Sequence, residues 1–351
     1  VFTALAEELV VLDLNTNALA GSIPEEWGMA RQLETLDLGS NALEGTVPSS
    51  TLTRLDKLRN LDLSDNALNG TLPASDLAEL AETLTELSLF GNNFNGTVPS
   101  ELGELALLRS LYLDSNRLSG PIPLELGRLA RVADLRLRDN HLTGPLPPEL
   151  SSLMDLEVLY ADTNRLTGTL PPSYSSLVRL EELHLYDNDL TGTLPPSWGA
   201  TLQDLRHIYL DDNALGGSIP PQWGELRDVR HLFLNSNRLA GPLPAKMGKM
   251  EDLVKLRLLD NDLTGTIPTE FARFLAVTHV NLENNRLVGT VPEELSRWVK
   301  LTSFTVQGNN LTGNMPLGVC QLRKERELAE LTASCQGQNA RMTCECCTEC
   351  Y

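Results

Sequence analysis

The sequence predicts an α/β repeat protein, a right-handed solenoid of thirteen turns, each giving one short parallel strand and one short helical or 3₁₀ segment. Three registered columns carry that expectation. An asparagine recurs at steps of 24 to 26 residues: Asn17, Asn41, Asn66, Asn92, Asn116, Asn140, Asn164, Asn188, Asn213, Asn237, Asn261, Asn285 and Asn309. Four residues past each stands a glycine, from Gly21 to Gly313, and seven past each a proline, from Pro24 to Pro316. Self-similarity at this period is the signature of stacked supersecondary units that bury a hydrophobic face only against their neighbours.

Each column has a physical reason. Leucine pairs such as Leu36 and Leu38 alternate with polar residues, the period of two that puts alternate side chains on opposite faces of a strand. One strand per turn in the same sense builds a parallel sheet. The asparagine follows, where the chain must bend and leave backbone groups buried; its amide can pair them, so the asparagines should form a ladder. The glycine admits backbone conformations closed to other residues. The proline fixes φ and donates no hydrogen bond, which suits an extended outer stretch. Segments such as Ser100 to Leu105 then make a helical or 3₁₀ turn. The boundaries read as a lead-in at 1–8, thirteen repeats at 9–319 and a cap at 320–351. The tryptophans Trp27, Trp198, Trp223 and Trp298 all fall after the proline and read as outer-wall core.

Composition limits the function. The 351 residues carry a formal charge of −19, which excludes a nucleic-acid footprint and disfavours an anionic membrane surface. No apolar run approaches membrane-spanning length. Val1 reads as the start of a processed or trimmed chain. All six cysteines, Cys320, Cys335, Cys344, Cys346, Cys347 and Cys350, lie at the C-terminal end. They predict up to three disulfides in an oxidising compartment, with the pairing open; a zinc site from Cys344, Cys347 and Cys350 is the rival reading. A polar, amphipathic helix is expected from Leu317 to Ser334, with Leu322, Leu328 and Leu331 facing inward. Asn69, Asn95 and Asn310 match the N-glycosylation sequon.

The repeated L-x-x-L-x-L-x-x-N-x-L-x-G-x-[IVLM]-P unit resembles the plant-type class of leucine-rich repeats, which includes receptor ectodomains and polygalacturonase-inhibitor-like proteins. The resemblance implies strands on a concave side, an outer wall with a second, irregular sheet, and an extracellular, secreted or cell-surface binding protein rather than an enzyme. The paired-cysteine N-terminal cap usual in plant members is missing, and the cysteine-rich tail resembles that of some algal leucine-rich-repeat proteins.

The strand face between the leucines is the expected working surface. Its columns gather Tyr112, Tyr160, His184, Tyr186, His207, Tyr209, His231 and Phe233, flanked by Arg136, Arg138, Lys255 and Arg257. At about 4.8 Å per strand these form one patch roughly 30 Å long. Aromatic and arginine side chains on an acidic protein suit a binding hot spot, and the arginines suit carboxylates in uronic acids or acidic peptides. The expected partner is a protein, peptide or cell-surface glycan, with no cofactor. The other readings are a structural subunit that self-associates into a larger assembly, and an inhibitor of a secreted enzyme. Asp13, Asp37 and Asp62 share one column; a calcium site is conceivable there, but a solvated acidic surface is the simpler reading. A shallow open face does not supply the paired carboxylates of a glycosidase, and the absence of a threonine ladder from the strand columns argues against ice binding.

Overall fold

The computed structural model describes residues 6–335 and 342–351; the expected lead-in lies largely outside them. The chain forms two compact units, Val1–Thr167 and Gly168–Tyr351. Their boundary falls inside one repeat, with no break in the asparagine, glycine and proline columns. Both units are leucine-rich-repeat solenoid, as the periodicity requires.

In the first unit seven three-residue strands, from Val11–Asp13 to Val158–Tyr160, pair in parallel and in chain order. The register puts each repeat over the next, as in Asp37 opposite Asp62 and Arg136 opposite Tyr160. A second parallel sheet of seven strands, from Ala20–Gly21 to Arg165–Thr167, forms the opposite wall. In the second unit the strand wall runs from Glu182–His184 to Ser303–Thr305, and the opposite wall is broken into short ladders. The expected irregular second sheet therefore exists only there.

The asparagine ladder forms as expected. Asn116 Nδ2 donates to the carbonyls of Leu89, Leu113 and Asp114 at 3.0, 3.2 and 3.0 Å, while its Oδ1 accepts from Phe94 N at 3.0 Å. One side chain thus ties three segments of two consecutive repeats. Immediately before it the chain takes a left-handed conformation, with φ of 50° at Ser115 and 51° even at the β-branched Thr163. That conformation is rare for residues with side chains, and the ladder holds it.

The leucine columns are almost wholly buried. Short 3₁₀ turns follow the prolines, Ser100–Glu104 among them. Tyr174, Trp198 and Trp223 stack in successive repeats at centroid distances of 6.4 and 6.1 Å. Each indole finds the partner that a buried N–H needs: Trp198 Nε1 donates to Pro171 O at 3.2 Å, Trp223 Nε1 to Pro195 O at 2.9 Å and Trp298 Nε1 to Phe271 O at 2.8 Å. These three are outer-wall core, while Trp27 is half-buried.

The cap departs from expectation. Its helix covers only Leu317–Glu325 and does not reach Ser334. Glu330–Ala333 instead pairs with Ser303–Thr305 as a further parallel strand, and Glu349–Cys350 pairs onto that. The reason is the edge of the sheet. Ser303–Thr305 would otherwise present unpaired backbone groups, and Leu331 continues the buried leucine column from a strand as well as it would from a helix. All six cysteines are paired, Cys320 with Cys346, Cys335 with Cys350 and Cys344 with Cys347, which replaces the zinc reading.

The ladder makes a direct prediction. Asn116→Ala strands buried amides and carbonyls and should destabilise the chain by about 3 kcal/mol, whereas Asn17→Ala, at the exposed first rung, should cost under about 1 kcal/mol. Denaturant unfolding of both variants checks the difference.

Candidate functional site

Strand alternation sends the second and third residues of the L-x-L segments in opposite directions, so the side chains between the leucines stand on the strand wall. In the first unit this places Tyr112, Arg136 and Tyr160 on adjacent strands in direct register. The Arg136 guanidinium carbon lies 4.8 Å from the Tyr112 ring centre and 5.2 Å from that of Tyr160. It also binds Asp134 through two bonds, Nε to Oδ1 at 2.9 Å and Nη2 to Oδ2 at 2.7 Å. Tyr112 donates its hydroxyl to the same carboxylate at 3.1 Å. Arg136 is thus a structural cation held between two rings and neutralised by Asp134. The exposed Arg138 is the arginine of this group with reach for a ligand.

The second unit holds a longer array. His184, Tyr209, Phe233 and Arg257 occupy one column. Ring centres are 4.4 Å apart for His184 and Tyr209 and 4.6 Å for Tyr209 and Phe233, and the Arg257 guanidinium lies 4.5 Å from the Phe233 ring centre. Beside it, His207 and His231 stack at 4.7 Å. Tyr209 Oη and His231 Nδ1 share a hydrogen bond of 2.7 Å that joins the two columns. Glu182 approaches His184 Nε2 at 3.7 Å and His207 Nδ1 at 3.5 Å. Tyr186 reaches the edge of the array, 6.4 Å from His184. Lys255 is in register with His231. The result is a half-buried floor of rings whose geometry is set before any partner arrives.

Burial tunes the charges on this wall. Asp114, only 6% exposed, has its carboxyl pushed up to about 6, chiefly by burial and against the pull of Arg138 and Arg136. Burial likewise raises Asp211 to about 6. His231 is lowered to about 4 by burial, then by the charges of His207, Lys255 and Arg257. It stays neutral in mildly acidic surroundings. Sequence columns placed every one of the twelve candidate side chains on the strand wall. They did not disclose the Asp134 lock on Arg136, the Glu182 bridge or the raised carboxyl of the half-buried Asp211, which depend on side-chain packing; the Asp134–Arg136 spacing of two residues was the available signal. His141, by contrast, starts a strand of the opposite wall and is exposed. Asn69, Asn95 and Asn310 are exposed on that opposite wall as well.

These features define a leucine-rich-repeat protein, and on the fold the comparisons agree. The leucine-rich-repeat profile matches residues 7–70 and 178–239, with further single repeats at 83–105, 107–129, 132–153 and 276–298. The chain belongs to the leucine-rich-repeat family, of the plant type. It is similar to the plant peptide hormone receptor RGFR1, solved in complex with RGF2, at 28% identity over 97% of this chain and 53% of that one, with a TM-score of 0.90. A leucine-rich-repeat protein of Leptospira interrogans is 30% identical over 92% of this chain and 78% of its own, TM-score 0.74. A plant ice-binding protein is 29% identical over 75% and 83%, TM-score 0.60. The chain spans about half the length of the receptor ectodomain. No curated protein sequence matches significantly. Among the described residues no helix is long and apolar enough to cross a membrane.

The raised carboxyl of Asp114 fixes the sign of a pH effect. The folded chain holds that proton up to about 6, the unfolded chain only to about 3.8, so stability from this group is lost as pH rises between those values. Asp114→Asn should therefore melt above the parent at pH 7.5, with the difference shrinking at pH 4.5. His231 acts in the opposite sense, since the unfolded chain takes up its proton first. Paired thermal melts at the two pH values check the Asn variant against its parent.

Proposed function

We propose that the chain is an extracellular recognition module that binds an extended peptide bearing carboxylates across its strand wall. The single observation behind the reading is the column His184–Tyr209–Phe233 ending on Arg257. Rings already stacked and bridged by the Tyr209–His231 hydrogen bond lose little freedom on binding, which is how preorganised aromatic surfaces convert contact into affinity. Arg257 and Lys255 supply the donors for a carboxylate. Receptor ectodomains of the same fold, RGFR1 among them, are described as peptide hormone receptors, which supports a peptide over a glycan. The three disulfides of the cap suit an oxidising compartment.

A second reading has one observation in its favour. Exposed threonines recur on the opposite wall, Thr46, Thr71 and Thr97 in consecutive repeats and again Thr169 and Thr193 or Thr266 and Thr290. A regular array of this kind, and the likeness to a plant ice-binding protein, fit an ice surface. Pro121, Pro145 and Pro242 interrupt the array, which favours the peptide reading. Inhibition of ice recrystallisation by the purified chain at micromolar concentration would reverse that order.

The test of the leading reading is capture from native extracellular material with the intact chain, followed by affinity measurement on the captured partner. Tyr209→Ala with Phe233→Ala should weaken binding by about thirtyfold or more, the scale of a hot spot, while leaving a cooperative melt. Equal affinity in the double variant removes the ring column as the binding surface.

A further inference from the structure

The strand wall of the first unit also contains an acidic cleft that the ring column does not explain. It encloses about 240 Å³ and is lined by side chains from four successive strands: Thr35 and Asp37, Asn60 and Asp62, Glu86 and Ser88, with Phe90 and Tyr112. Parallel register sets Thr35, Asn60 and Glu86 in one row and Asp37, Asp62 and Ser88 in the next. No lining residue is basic. Asp13 continues the second row, directly opposite Asp37. Like charges facing one another across strands destabilise a sheet, so the free chain carries this row at a loss.

Neighbouring donors hold the carboxylates in place without neutralising them. Asp37 accepts from Gly39 N at 3.0 Å and from Asn15 Nδ2 at 2.8 Å. Asp62 Oδ1 accepts from Ser64 N at 2.8 Å and from Ser64 Oγ at 2.5 Å. Glu86 accepts from Asn60 Nδ2. A side chain at Gly39 would begin 3.3 Å from Asp37 Oδ1, 3.3 Å from Asp62 Oδ1 and 3.1 Å from Ser64 Oγ. The glycine lets these oxygens converge on one point.

Ser88 adds an observation independent of the carboxylates. It is only 7% exposed, it lines the cleft, and its Oγ has no hydrogen-bond partner. A buried hydroxyl is normally hydrogen-bonded, so this one keeps capacity for a partner in the cleft. Three carboxylates, a serine oxygen and two aromatic rings describe the complement of a cation with several N–H donors and a flat or alkyl body. A metal ion fits poorly. Among the described residues no group of three or more ligands is arranged to hold one, and rings in place of oxygens do not serve a hard cation.

We propose that the cleft of Asp37, Asp62, Glu86, Ser88, Phe90 and Tyr112 binds a guanidinium or primary ammonium group. The assignment rests on the strand wall of this unit being a ligand face, but not on what the ring column of His184 to Arg257 binds. The group is an arginine or lysine side chain of a peptide, or the end of a free polyamine, and the experiment separates these.

The 351-residue chain, labelled with nitrogen-15, is titrated with butylguanidinium, acetyl-Gly-Arg-Gly-amide, spermidine, tetramethylammonium and calcium chloride. Butylguanidinium is expected to shift the amides of Gly39, Ser64 and Ser88 saturably. Asp62→Asn and Asp37→Asn should each weaken it about tenfold, and Ser88→Ala a few-fold. Tetramethylammonium has no N–H to give; it should bind more weakly and ignore Ser88→Ala. Tighter binding of the peptide than of spermidine assigns a side chain, and the reverse assigns a polyamine. The two asparagine variants relieve like-charge contacts, so both should melt at or above the parent temperature, which separates lost binding from lost folding. The proposal is overturned if no N–H cation gives saturable shifts, if Asp62→Asn leaves affinity unchanged, or if calcium binds more tightly than butylguanidinium with the same dependence on the variants. Such a result, with partner capture still sensitive to Tyr209→Ala, would leave the peptide reading standing.

Discussion

The fold depends on one recurring problem, the need to turn the chain out of a three-residue strand without stranding backbone groups in the core. The asparagine column solves it. Asn116 satisfies three carbonyls and one amide across two repeats, so every rung depends on its neighbour. The left-handed residue before each rung, Ser115 or Thr163, is tolerated because those bonds over-determine its conformation. The same rungs fix the strand register, and the register fixes which side chains meet on the strand wall.

From that register follows the chemistry of the wall. A strand spacing of about 4.8 Å is close to the separation at which rings stack, so aromatic side chains in successive repeats become a continuous surface: His184 on Tyr209, Tyr209 on Phe233. The same spacing makes like charges costly, and the chain treats them in three ways. Asp134 is neutralised by Arg136. Asp37 and Asp62 are only braced by neutral backbone, amide and hydroxyl donors, which leaves a site short of positive charge. Asp114 and Asp211 show the third outcome, carboxyls buried enough to take up a proton near pH 6.

Likeness of fold does not choose among functions. Repeats of this kind are shared by a peptide hormone receptor and an ice-binding protein, and function lies in the side chains that the scaffold presents. Here the strand wall carries rings, cations and an acidic cleft, whereas the opposite wall carries threonines and prolines. The first surface has the irregular, chemically varied character of a recognition site, the second the regularity of a scaffold.

The sequence by itself determined the repeat, its thirteen turns, the ladder, and the twelve candidate side chains on the strand wall, because period-two alternation and the asparagine register are local rules that each repeat obeys alone. Tertiary structure decided the rest. The cap sequence after Glu325 reads as helix, yet Glu330–Ala333 became a strand because an open sheet edge offered its backbone partners. Arg136 read as a ligand contact, and only the packed structure showed that Asp134 and two tyrosines already engage it. Ser88 and Phe90 stood in the columns as ordinary residues, and only packing across four strands showed that they close a cleft. Such outcomes turn on which neighbour a side chain finds at 3 to 5 Å, and that neighbour comes from another repeat.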